Sequence, residues 1–73
     1  MTFDEVSKPY LNVFGEPDLS FDFPLENNIY KQWYWYKSDV VVEFVAPLKD
    51  RKKGWALSFA ISLDPLKHYM KNK

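Results

Sequence analysis

From Val40 to Leu48 and again from Trp55 to Leu63, every second residue is apolar. One series is Val40, Val42, Phe44, Ala46 and Leu48; the other is Trp55, Leu57, Phe59, Ile61 and Leu63. A period of two is the mark of a strand that buries one face, so both series are assigned to the core side of a sheet. Val41, Glu43 and Val45 then fall on the outer side of the first strand. On the second, Ala56, Ser58, Ala60 and Ser62 turn away from the large residues, and a face of small side chains implies that another element packs close to it.

Upstream, Ile29 to Lys37 reads as a third strand with rings on both faces. Ile29, Lys31, Trp33, Trp35 and Lys37 share one side, and Tyr30, Gln32, Tyr34 and Tyr36 the other. Tryptophan outcompetes tyrosine for burial, and a lysine near a strand end can bury its stem while its ammonium reaches water. The tryptophan side is therefore assigned to the core. The link through Ser38 and Asp39 is short enough only for a hairpin, and the basic loop from Lys49 to Lys53 ends in Gly54, which can accept a positive φ. Three consecutive strands joined in this way form an antiparallel meander.

The flanks are read from their punctuation. Leu19, Phe21 and Phe23 alternate with Ser20 and Asp22 and predict a short strand, which Pro24 confines to a sheet edge or closes. Thr2 and Glu5 have the spacing of a capping box, and Pro9 is expected to end or kink the helix after a turn or two. Asp64 and Pro65 mark a second helix start, with Leu66, Tyr69 and Met70 on one side. The expected fold is α+β, an antiparallel β-meander of three to four strands with short helices near both termini, in a single small domain spanning residues 1–73.

Size sharpens the functional question. A chain of 73 residues buries only about 60% of the surface it exposes when unfolded, and without cysteine it has no disulfide to compensate. Aromatic residues make up 19% of it, more rings than a small sheet covered on one side can bury. Tyr and Trp are enriched at binding hot spots, so Tyr30, Tyr34, Tyr36, Val41 and Val45 are the predicted interaction face. The partner is a protein: a second copy forming a homodimer, or a different chain for which this one is an accessory or inhibitor-type subunit.

Nucleic acid is the second candidate. Rings interleaved with cations suit a single strand, whose bases stack while its phosphates are followed by basic groups; Lys31, Lys37, Lys49, Arg51, Lys52 and Lys53 are the residues that would do this. Ten basic and ten acidic residues cancel, which ranks this reading below protein binding. Residues 1–28 carry six acids against Lys8, or −5, and residues 29–73 nine bases against four acids, or +5. The same asymmetry would let the acidic part fold on the basic sheet.

The residues needed for chemistry are scarce. One histidine, His68, and no cysteine give no transition-metal set, and neither Ser58 nor Ser62 has a neighbouring base in sequence. Asp22 and Glu43 would form a carboxylate pair only if their strands met. The two glycines, Gly15 and Gly54, make no phosphate-binding loop. No enzymatic activity, metal or cofactor is expected. No window suits a membrane span, and Asp4 and Glu5 stand where a signal peptide would be basic, so the expected location is cytoplasmic.

Overall fold

The computed structural model describes residues 1–63. Helix α1 (Phe3–Phe14) leads into four strands, β1 (Leu19–Leu25), β2 (Asn28–Trp35), β3 (Val40–Pro47) and β4 (Ala56–Ser62), with one 3-10 turn at Leu48–Asp50. Each strand pairs antiparallel with the next, so the sheet order is β1-β2-β3-β4. This is the α+β meander expected. The helix predicted after Asp64 lies outside the described residues.

Thr2 caps α1 reciprocally with Glu5: the Glu5 N–H donates to the Thr2 hydroxyl at 3.2 Å, and the Thr2 N–H to the Glu5 carboxylate at 2.9 Å. That N–H, followed by the Thr2 hydroxyl, holds the Glu5 carboxyl below its usual range. The helix does not stop after two turns. It runs twelve residues through Pro9, which is exposed and leaves the Glu5 carbonyl without its helical donor. An interior proline costs about 3 kcal/mol. Tyr10, Leu11 and Phe14, all beyond it, pack against the core, and burial of a large apolar side chain is worth roughly 1.5–3 kcal/mol. Tertiary packing outweighs the local penalty.

Below the helix, Val42 and Phe44 are fully buried, beside Trp33, Trp35, Ala46 and Trp55. Phe3 meets the rings of Trp33, Phe44 and Trp55 edge-on, with centroids 5.1–5.2 Å away. Further along, Tyr10 reaches Phe44 and Phe14 reaches Trp35. Ser7, also buried, is small enough to let the helix approach the sheet. The Trp35 indole N–H donates to the Gly15 carbonyl at 3.0 Å and ties the helix end to β2.

Three local expectations change. Strand β2 ends at Trp35, so Tyr36 and Lys37 belong to the turn before β3. Gly54 is not at positive φ, which among the glycines belongs to Gly15. Gly54 is small for another reason: a Cβ there would lie 2.8 Å from both the Asp50 carbonyl oxygen and Pro47 Cδ.

The third change is the facing of β4. Glu43 lies opposite Phe59, but Phe44 lies opposite Leu57, which leaves Ser58 as an extra residue in a β-bulge. Because side chains alternate, one inserted residue exchanges the faces of everything beyond it. Trp55 stays in the core and Leu57 on the helix side. Phe59 and Ile61 pass to the opposite face, in register with Glu43 and Val41, while Ala60 and Ser62 take their places opposite Val42 and Val40. Placing Phe59, Ile61 and Leu63 in the core series is therefore corrected, and so is placing Ala60 and Ser62 on the outer side.

Candidate interaction face

The sheet face opposite α1 is built of three cross-strand rows. Leu19, Tyr34, Val41 and Ile61 form the first; Phe21, Gln32, Glu43 and Phe59 the second; Phe23, Tyr30, Val45 and Ala56 the third. The two-residue turn at Glu26 and Asn27, with Glu26 at φ 58°, sets Leu25 opposite Asn28 and fixes the register of the first hairpin. Phe23 consequently stacks on Tyr30, with ring centroids 5.4 Å apart and planes 17° from parallel.

Across the first two rows lies an open concavity of about 400 Å³, lined by Leu19, Phe21, Gln32, Tyr34, Val41, Phe59, Ile61 and Leu63. Its ridges are the edge strands. On one side Phe21 is 53% exposed and on the other Ile61 is 50% exposed. Between them, β2 and β3 contribute Gln32, Tyr34 and Val41. Scattered apolar residues are ordinary on a protein surface, but contiguous ones around a concavity characterise a docking surface.

Polar groups set the chemistry of this face. Glu43 is only 8% exposed, and the Gln32 side-chain amide donates to its carboxylate at 2.8 Å. At the rim, the Tyr34 hydroxyl donates to Asp39 at 2.6 Å. That hydrogen bond, reinforced by burial and by the Asp39 charge, raises the Tyr34 phenol above its ordinary value. Tyr36, in the turn, leans edge-on against Tyr34 at 5.2 Å, and its N–H donates to Asp18 at 2.7 Å.

Of the five residues predicted for the face, Tyr34 and Val41 line the concavity. Tyr30 and Val45 share the surface beyond it, and Tyr36 stands exposed at its border. Leu19, Phe21, Phe59, Ile61 and Leu63 complete it and were not anticipated. For Leu19 and Phe21 a signal existed: a two-residue turn after Leu25 puts their side with Tyr30 and Tyr34. For Phe59 and Ile61 none did, since nothing in the β4 residues marks the bulge.

The six candidate nucleic-acid cations are dispersed. Lys31 is on the helix side, its ammonium 3.1 Å from Asp22 and 4.9 Å from the Phe3 ring centroid. Lys37 lies in the turn after β2. Lys49, Arg51, Lys52 and Lys53 are exposed in the connection from β3 to β4, at the end of the sheet away from the Tyr34 and Ile61 row. Asp22 and Glu43 do not form a carboxylate pair: β2 separates their strands, and they project from opposite faces.

Among the described residues no group of three His, Cys, Asp or Glu side chains converges as a metal would require, and no helix is long and apolar enough to cross a membrane. His68 lies outside the described residues. No family model, curated protein or solved structure matches this chain.

Proposed function

We propose that this chain is a small protein-interaction module whose open sheet face seats a partner. One observation carries the reading. The helix covers one side of the sheet, while on the other Leu19, Phe21, Tyr34, Val41, Phe59, Ile61 and Leu63 surround a concavity with no covering element among the described residues. Fully burying one large apolar side chain is worth roughly 1.5–3 kcal/mol, so a few of these anchors meeting a complementary surface would offset the cost of association.

The test is a photo-crosslinking residue placed at Tyr36, beside the concavity, and in a second chain at Lys8 on the exposed side of α1. In the native host, the Tyr36 position is expected to give a discrete adduct and the Lys8 position none. The double substitution Phe21→Ser with Ile61→Ser should abolish the adduct while lowering the unfolding free energy by no more than about 2 kcal/mol, about 1 for each side chain. Equal adducts from both positions, or an adduct indifferent to the double substitution, would refute the assignment.

A further inference from the structure

We infer that the partner segment seated on this face carries an arginine or lysine among its apolar residues, directed at the Gln32–Glu43 pair. This deepens the proposed function and rests on it. Glu43 is more than nine-tenths buried, in the middle row of a largely apolar face, between the lining residues Gln32 and Phe59. It accepts one hydrogen bond, from the Gln32 amide, and no cation among the described residues pairs with it; the ion pair present is that of Lys31 with Asp22, on the other side of the sheet. A carboxylate in such a place is costly unless a positive charge answers it, and its oxygens can accept more than one donor.

The same carboxylate decides against a second copy as occupant. Two-fold stacking of this face on itself would lay the two middle rows across one another. Two Glu43 carboxylates would then enter a single apolar layer about 10 Å thick, with no cation among the described residues of either face's three rows to separate them. A guest with apolar side chains on both sides of one guanidinium or ammonium satisfies the ridges and the charge together. A guanidinium fits best, because its planar fork can engage a carboxylate through two hydrogen bonds.

The probes are 4-pentylbenzamidinium, an apolar tail ending in a planar cation, and its neutral isostere 4-pentylbenzamide. Binding to the full chain is measured by titration calorimetry and by amide chemical shifts. The cation is expected to perturb Gln32, Val41, Phe59 and Ile61 and to bind at least about tenfold more tightly than the amide, the factor appropriate to one charge-assisted hydrogen bond. Glu43→Gln, which leaves an oxygen for the Gln32 amide, should remove that difference and keep the weaker apolar binding. Equal affinities, or a difference that survives Glu43→Gln, would overturn the inference while leaving the apolar docking face standing. If neither probe perturbs this face, the docking reading fails with it. A dimer by light scattering that Phe59→Ser dissociates would identify the second copy as occupant and overturn the assignment.

Discussion

The facing of β4 can be tested by truncating two phenylalanines that sequence periodicity treats alike. Phe44 is fully buried and meets Phe3, Tyr10 and Trp33 edge-on, with centroids 5.2, 5.7 and 5.3 Å away. Phe44→Ala should cost about 3–5 kcal/mol from lost transfer energy and the cavity left behind. For 73 residues, stability at 0.05–0.15 kcal/mol per residue is about 4–11 kcal/mol, so this one change removes a large part of it. Phe59, on the open face, leaves no enclosed cavity, and Phe59→Ala should cost about 1 kcal/mol. In urea, with a slope of about 1 kcal/mol per molar, the midpoints fall by about 3 M or more for Phe44→Ala and by about 1 M for Phe59→Ala. If Phe44→Ala is unfolded throughout, Phe44→Leu, at about 1–2 kcal/mol, supplies a measurable point. Equal losses at 44 and 59 would put Phe59 back in the core and remove the ridge on which the proposed docking surface depends.

Tyr34 should ionise above the ordinary tyrosine value near 10, because folding binds its proton to Asp39. The sign follows: the raised phenol contributes stability that is fully present below that value and is lost as pH rises through the folded one. Carbon-13 titration of the ring should show it, and Asp39→Asn, which suits the positive φ of 53° at that position, should bring the value down; an unchanged titration would refute the assigned cause. Thr2→Ala should cost about 1 kcal/mol by loss of the cap, read from the urea midpoint at pH 7. The Glu5 carboxyl is held below its ordinary value first by the Thr2 N–H, which Thr2→Ala keeps. Its contribution is therefore present above that value and lost as pH falls through the folded one in both chains, so most of the difference between them, carried by the Glu5 N–H to the Thr2 hydroxyl, should persist in acid. Gly54→Ala should destabilise by about 1–3 kcal/mol, since the new Cβ would meet the Asp50 carbonyl and the Pro47 ring at 2.8 Å; a neutral result would show that this turn can give way.

The legible parts of the fold were those in which local and tertiary preferences agree. The tryptophan side of β2, the series Val40, Val42, Phe44 and Ala46 of β3 and the Thr2–Glu5 cap each have one physical solution and are found as read; Leu48, at the end of that series, instead lies beyond β3 in the 3-10 turn and is exposed. Pro9 misled because an isolated proline carries a local penalty, whereas the apolar residues that offset it follow it at helical spacing and count only once a sheet lies beneath them. Tyr34 and Val41 were legible as outer-face residues because their neighbours on either side in sequence claim the core. The β4 half of the concavity was not, because a bulge is decided by how two strands meet and leaves alternation along either strand undisturbed.

That single extra residue also connects the fold to the function proposed. With a regular β4, Phe59 and Ile61 would lie on the helix side opposite Val42 and Val40, and the outer face of that strand would show Ser58, Ala60 and Ser62. The open face would then have one apolar ridge, on β1, and a flat polar shoulder. With Ser58 inserted, Trp55 still closes the core beneath Phe3, yet the strand beyond it presents its large residues to the outside. For a chain short of core, exporting Phe59 and Ile61 forgoes roughly 1.5–3 kcal/mol for each side chain that could have been fully buried. Stability alone gives no reason to place a bulge there. Recovering that burial against another molecule does. Deleting Ser58 lets Phe59 follow Leu57 directly and so keeps Phe59 opposite Glu43 and Ile61 opposite Val41 on the open face. The deletion is predicted to give a chain at least as stable by its urea midpoint that still crosslinks from Tyr36; loss of the crosslink would refute the facing assigned to β4.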